Sequence, residues 1–294
     1  MTSSVQPLNG SAPAILSIQS EVAFGHVGNS AAVLPLQRLG FEVWPINTVQ
    51  LGHHPGYGRF KGHIVEPERL TVILEGVLER APLTDCVGML SGYLGDARVA
   101  GLVTRALGAV QAAGADPVYL MDPVIGDDGP GVFVRPDIPG VIKRHLLPHT
   151  RIVTPNRFEL AHLTGHDVVD LADARQAAAI LLAHGPDLVV VTGLELADHP
   201  QQLSLLAVTA DQAWLVRTPR LPTSFSGTGD AFSALFLGHY LKAPDLKTAF
   251  ERAISAIFSL VELTYQRGNS ELGLIAAQDL LAAPAIRFSA EELA

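Results

Sequence analysis

The segment Ser226-Gly227-Thr228-Gly229-Asp230-Ala231-Phe232 sets two glycines, a threonine and an aspartate directly before an apolar stretch that runs to Leu241. A helix starting here would leave the N–H groups of Gly227, Thr228 and Gly229 unpaired and facing outward at the positive end of its dipole. Glycine lets a phosphate approach the backbone closely. Asp230 beside such a cradle could take the proton of an attacking hydroxyl while the cradle holds a phosphoryl group in transfer. The same residues would also serve as a plain glycine turn with Thr or Asp capping a helix. No Gly-Lys-Ser/Thr follows, so the common P-loop is excluded.

Three further segments carry candidate chemistry. Asp122-Pro123-Val124-Ile125-Gly126-Asp127-Asp128-Gly129 follows a strand-like run. Carboxylates at the C-terminal end of a strand lie where open α/β sheets bind ligands, and magnesium wants one or two of them plus phosphate and water oxygens. A solvated acidic turn has the same composition. Thr154-Pro155-Asn156-Arg157-Phe158-Glu159 again lies between strand and helix. Asn156 and Glu159 have capping-box spacing, which is a sufficient structural reason for both; the functional alternative puts Glu159 near a metal or its water shell. The polar exit Ser17-Ile18-Gln19-Ser20, followed by Gly25-His26-Val27-Gly28-Asn29-Ser30, could line a small-molecule pocket or be an ordinary strand-to-helix loop. Gly25-x-x-Gly28 lacks the dinucleotide fingerprint, which disfavours NAD. His53, His54 and His63 have no thiol or acidic partner at ligand spacing, so they read as loop residues rather than zinc ligands.

These segments need a frame, and the apolar pattern supplies one. Strands are predicted at Ala14–Ile18, Phe41–Asn47, Val87–Leu90, Val118–Met121, Arg151–Thr154 and Leu188–Val191. An antiparallel pair, Leu203–Val208 and Trp214–Val216, turns at residues 209–212. Helices are predicted from Asn29 (or Ser30) as N-cap to Leu39, closed by Gly40. Others fall at Pro67–Arg80, Asp96 to Gly114, Ile138–Leu147, Asn156 to Gly165, Ala172–His184, the glycine cradle to Leu241, Leu246–Gln266 and Glu271–Leu281. Strand–helix alternation argues a mainly parallel sheet covered on both faces, with an antiparallel edge near the C-terminus. Residues 1–13 read as a disordered leader and 14–294 as one domain, with Val49–His63, rich in Gly and His, as a mobile flap over the strand ends.

Composition narrows the class. At 48% hydrophobic and 17% charged residues, the chain can bury a core and is not disordered. Its formal charge of −9 argues against general nucleic-acid binding, although dipoles or a metal can still hold an anion. Cys86 is the single cysteine, which fits a reducing cytosol. The first basic residue is Arg38, so no signal peptide is expected, and the apolar runs are too short for a membrane span.

In this order, the segments resemble the pyridoxal kinase branch of the ribokinase-like family, from Ile15 to about Ala294. Gly227-Thr228-Gly229-Asp230 and Asp122-Pro123-Val124-Ile125-Gly126 occur across that superfamily, and Thr154-Pro155-Asn156 with Glu159 is a further matching stretch. Ile15-Leu16-Ser17-Ile18-Gln19-Ser20, Gly25-His26-Val27-Gly28-Asn29-Ser30-Ala31-Ala32, Asn47-Thr48-Val49-Gln50 and Ser91-Gly92-Tyr93 point to the vitamin B6 kinases. The resemblance implies a three-layer α/β/α sandwich with a central, mainly parallel sheet, antiparallel edge strands and a small flap. It implies a cytoplasmic homodimer that uses ATP and magnesium to phosphorylate the 5′-hydroxyl of pyridoxal, pyridoxine or pyridoxamine, giving pyridoxal 5′-phosphate in vitamin B6 salvage. By the same analogy Asp230 is the base, and Gly227, Thr228 and Gly229 form the anion hole. Asp122, Asp127 and Glu159 would organise magnesium and phosphates, and Thr154 and Thr192 would face phosphate or a monovalent cation such as potassium. Ser20 would hydrogen-bond the pyridine ring, Tyr93 would pack on it, and Val27, Pro55 and Gly56 would complete the vitamer site.

Three positions depart from the family. Pro55-Gly56 replaces a Thr-containing pair, losing a hydroxyl and stiffening the flap. Glu21 stands where His is usual, and Thr192 where many bacterial members carry Lys. The competing readings are a hydroxymethylpyrimidine kinase, disfavoured by the lack of a Ser- and Gly-rich segment after the first strand, a sugar kinase, disfavoured by the lack of a Gly-Gly-rich segment near the start, and a vitamer-binding module without catalysis, suggested by the altered flap.

Overall fold

A computed structural model describes residues 12–293. The expected leader therefore lies outside the described residues, apart from Ala12 and Pro13. The β-branched and leucine-rich runs form β1 (Ala14–Val22), β2 (Glu42–Leu51), β3 (Gly62–Ile64), β4 (Cys86–Ser91), β5 (Val118–Met121), a small hairpin of β6 (Gly126–Asp127) and β7 (Gly131–Val132), β8 (Ile152–Val153), β9 (Leu188–Leu194), β10 (Gln202–Val208), β11 (Ala213–Pro219) and β12 (Glu291–Glu292). All but the hairpin join one sheet, in the order β3-β2-β1-β4-β5-β8-β9-β10-β11-β12. From β2 to β9 the neighbours are parallel; β3 at one edge and β10 to β12 at the other are antiparallel.

Two helical layers cover the sheet, as its two-sided apolar strands require. One apolar cluster packs under α2 (Pro67–Arg80), α3 (Val99–Ala112), α5 (Arg157–Thr164) and α6 (Leu171–Leu182). The other packs under α1 (Asn29–Arg38), α7 (Thr228–Lys242), α8 (Leu246–Gln266) and α9 (Leu274–Ala282). The short α4 (Ile138–Val141) continues into a π-helical turn at Ile142–Leu146 instead of the single predicted helix.

Two further expectations change. Neither Asn29 nor Ser30 caps α1: Gly28 occupies the N-cap, with φ 55°. Asn29 is drawn instead into a buried polar chain, accepting from Ser17 Oγ (2.7 Å) and donating to Asn47 Oδ1 (2.7 Å), while Asn47 donates to Glu21 Oε2 (2.6 Å). Satisfying buried amides outweighs one cap. The predicted flap is also not wholly irregular. Its ends belong to β2 and β3, so it is a hairpin arm whose tip is a single helical turn at Pro55–Tyr57.

Helix α7 is enclosed, with every residue from Ala231 to His239 buried. Burial, reinforced by Arg252 and Lys242, lowers the His239 imidazole to about 4, and its Nε2 has no hydrogen-bond partner. The unfolded chain takes up this proton below ~6.5 and the folded chain does not until about 4. Stability should therefore fall as pH drops through that window, by something on the order of 3 kcal/mol from this one site. Urea midpoints between pH 7 and pH 4 check this, because His239→Leu should flatten the acid limb.

Candidate active site

Parallel pairing brings the C-terminal ends of β1, β4, β5, β8 and β9 to one edge of the sheet. Ser20, Tyr93, Asp122, Thr154 and Thr192 all line one cleft of about 2070 Å³ there. Val27, the tip residues Pro55 and Gly56, Asp127, Glu159 and residues 227–230 line the same cleft. The predicted site residues are thus brought together.

The cradle is built by interlocking glycines. Gly227 has φ 82° and ψ 0° as N-cap of α7, and a Cβ there would collide with the carbonyl oxygen of His26. At Gly28 a Cβ would run into Ser20. The tight fit lets the Gly28 N–H, with that of Asp230 itself, donate to the half-buried Asp230 carboxylate. Burial raises the affinity of this carboxyl for its proton and the two N–H donors oppose the rise. One detail differs from expectation. Thr228 turns its N–H (3.4 Å) and hydroxyl (2.8 Å) onto Phe225 O. Of the three expected donors, the N–H groups of Gly227 and Gly229 are left for an incoming anion, because the turn before α7 folds back on itself.

Asp122 lies across from this cradle, since a Cβ at Gly229 would stand 3.8 Å from its Oδ2. It is 7% exposed, and burial together with the charges of Glu159 and Asp230 pushes its carboxyl well above the usual range. Ser233 Oγ donates to Asp122 Oδ2 (3.1 Å) and bonds Thr154 Oγ1 (2.8 Å). The sequence reading missed Ser233. Its signal was a hydroxyl three residues after Asp230 on an otherwise apolar helix, the spacing that shares a helix face.

Glu159 forms the capping box with Asn156, both arms being present. Its Oε1 also accepts from Ile125 N–H (2.9 Å) and its Oε2 from Asn156 N–H (3.0 Å). Burial nevertheless raises it to about 7, with Asp127 adding to the rise. Asp127 is exposed and close by. Its neighbour Asp128 holds the β6–β7 hairpin down through an ion pair with Arg157.

The donor set suits a hard divalent cation. The charges acting on Asp122 are all carboxylates and no basic side chain offsets them. Among the described residues, no three His, Cys, Asp or Glu side chains converge as a closed metal site.

Tyr93, in the same cleft, is half-buried, its carbonyl held by Thr48 Oγ1 (2.6 Å) and its hydroxyl raised by burial. Part of the cleft wall is an apolar slot of Leu205, Leu221, Phe225, Ile254, Ile257 and Val261. The sequence reading did not identify this slot, because its residues come from three separate segments and carry no polar motif.

Comparison with known proteins identifies the arrangement. A family model described as Phosphomethylpyrimidine kinase matches residues 63–274. Pyridoxal kinase PdxY of Rubrobacter xylanophilus is 45% identical, over 95% of this chain and 97% of its own. This chain belongs to the pyridoxal kinase family. The Deinococcus radiodurans pyridoxal kinase PdxY is 46% identical, over 95% of this chain and 96% of its own. The structure of pyridoxal kinase from Leishmania donovani in complex with ADP and pyridoxamine aligns with a TM-score of 0.88 at 32% identity, covering 96% of this chain and 100% of that one. The three-layer ribokinase-like fold read from the sequence is therefore the fold of this chain.

Proposed function

We propose that this protein transfers the γ-phosphoryl group of ATP to the 5′-hydroxyl of pyridoxal, and of pyridoxine and pyridoxamine, yielding the 5′-phosphates in B6 salvage. The observation that carries this reading is the placement of Asp230, fixed by the Gly28 N–H beside the two free N–H groups of the cradle. The acceptor is a primary alcohol, so Asp230 need only receive its proton as the bond to phosphorus forms. Gly227 and Gly229 would hold the transferring oxygens at the positive end of α7. Asp122 would hold magnesium, with Asp127 and Glu159 ordering its water shell. The ion would offset the charge of the phosphates. Thr154 and Thr192 would face phosphate or potassium. The apolar slot would take the adenine ring, while Ser20, Val27, Tyr93, Pro55 and Gly56 would enclose the vitamer.

Exposed Ile64 on β3 and exposed Val72 and Ile73 on α2 are apolar surface of the kind a homodimer would cover, which supports that assembly. Cys86 is a free buried thiol, which supports a cytoplasmic location, and no described helix is long and apolar enough to cross a membrane.

ADP release measured with pyridoxal, pyridoxine, pyridoxamine, hydroxymethylpyrimidine and ribose, with and without magnesium, tests the proposal. Magnesium-dependent turnover of B6 vitamers is expected. Preference for the pyrimidine, as the family model's description suggests for relatives, would replace the substrate assignment, and vitamer binding without turnover would replace the reaction.

The same charge argument predicts a split effect for Asp122→Asn. The folded Asp122 binds its proton more tightly than the unfolded one, so ionisation costs stability as pH rises above ~4. Asn removes that cost. Thermal midpoints of the nucleotide-free variant should exceed wild type at pH 8 and match it near pH 4. Magnesium-dependent turnover should fall by ~10–100-fold or more.

A further inference from the structure

Outside the reacting centre, one side chain ties three parts of the site together. Glu271 lies in the loop between α8 and α9. Its Oε1 accepts the hydroxyl of Tyr57, at the tip of the β2–β3 arm. Its Oε2 accepts the backbone N–H of His26 (3.1 Å). The loop His26-Val27-Gly28, between β1 and α1, presses the His26 carbonyl against Gly227 and presents the Gly28 N–H to Asp230. Gly25 faces the same carboxylate so closely that a Cβ would lie 2.7 Å from its Cδ. The arm makes a second contact beside the cradle, where His54 Nδ1 stands 3.3 Å from Ser226 Oγ.

We propose that Glu271 is a positioning residue that latches the closed flap through Tyr57 and, with its other oxygen, fixes the loop that aligns Asp230. Enclosure of the vitamer and alignment of the base are then set by one carboxylate. The proposal rests on the kinase reading above.

The chemistry suits a latch that opens each cycle. Tyr57 is 48% exposed, so its bond to Glu271 is charge-assisted but solvent-accessible, worth a few-fold to ~10-fold in the closed-to-open ratio. The phenol is held protonated, pushed up to about 12 by its bond to Glu271, and remains a donor at any working pH. The two oxygens of Glu271 take different partners, so Tyr57→Phe removes one bond and leaves the other.

Trypsin reads the latch directly, because Arg59 and Lys61 lie in the exposed arm. Cleavage after these residues, followed by mass spectrometry, is compared in wild type, Tyr57→Phe, Glu271→Ala and the double variant, alongside kcat and KM for vitamer and ATP. Tyr57→Phe should speed cleavage of the arm by ~5–10-fold and raise the vitamer KM by a similar factor, with the ATP KM unchanged and a smaller effect on kcat. Glu271→Ala should open the arm equally and in addition lower kcat by ~10-fold. The double variant should open it no further than Glu271→Ala alone. Thermal midpoints separate these effects from unfolding, and Tyr57→Phe should leave the midpoint unchanged. Unaltered arm cleavage in Tyr57→Phe, or strictly additive effects in the double variant, overturns the latch whatever the activity. A wild type inert towards every vitamer overturns the kinase reading and leaves the cleavage result to stand by itself.

Discussion

Asp230→Asn is expected to bind ATP with nearly wild-type affinity and to turn over ~10²–10⁴ times more slowly. The substitution keeps the shape and one oxygen acceptor for the Gly28 N–H, so the loop His26–Gly28 and the cradle should keep their places. What it removes is the one atom that could take the hydroxyl proton as phosphorus is attacked. The raised proton affinity of Asp230 in its half-buried setting helps this task, since a base that is too weak takes little of the proton in the transition state. Two measurements separate the role from a binding defect: nucleotide affinity by calorimetry, and single-turnover rates at saturating vitamer. A variant with wild-type turnover would remove Asp230 from the base role.

Gly227→Ala should be nearly as damaging for a different reason. At φ 82° the residue is in the left-handed region, which costs a side-chain-bearing residue ~1–2 kcal/mol. The larger problem is space, because the new methyl would meet the backbone carbonyl of His26, which cannot swing aside as a side chain could. Either the α7 N-terminus or the His26–Gly28 loop must shift. The first misaims the anion-holding N–H groups and the second moves the Gly28 N–H off Asp230. Loss of a single such donor costs ~10²–10³ in turnover, so a drop of at least that size in kcat/KM is expected, with a reduced thermal midpoint. An intact midpoint with unchanged kcat would show that phosphate does not rest on this cradle.

Much of the site was legible because it is local. The acidic loop after β5, the capping box at Asn156 and Glu159, and the cradle before α7 are each continuous runs whose residue types have few uses; parallel pairing carries the first two to one sheet edge, and the antiparallel β10–β11 pair returns the chain there before the cradle. The prediction of Pro67–Arg80 coincides with α2, where Pro at the start and Leu70 and Leu74 on one face leave little freedom. What could not be read depended on distant partners. Asn29 has the chemistry of a cap, but Ser17, from β1, and Asn47, from β2, compete for its amide. Thr228 has the position of an anion donor and spends itself on Phe225. Ser233 and the apolar slot acquire meaning only when helices α7 and α8 stand against β10 and β5. The flap histidines and glycines concealed a strand because β3 has exposed residues throughout and thus no burial pattern to announce it.

The arm over the cleft is an outgrowth of the sheet's rim, its roots held in register as Gln50 with His63 and Leu51 with Gly62. An insertion of one residue at either root would reverse which side chains look inward, whereas exchanges at the tip leave the ladder untouched. Selection for a new acceptor molecule can therefore work on Pro55 and Gly56 as interchangeable fittings, without disturbing the machinery that handles the donor.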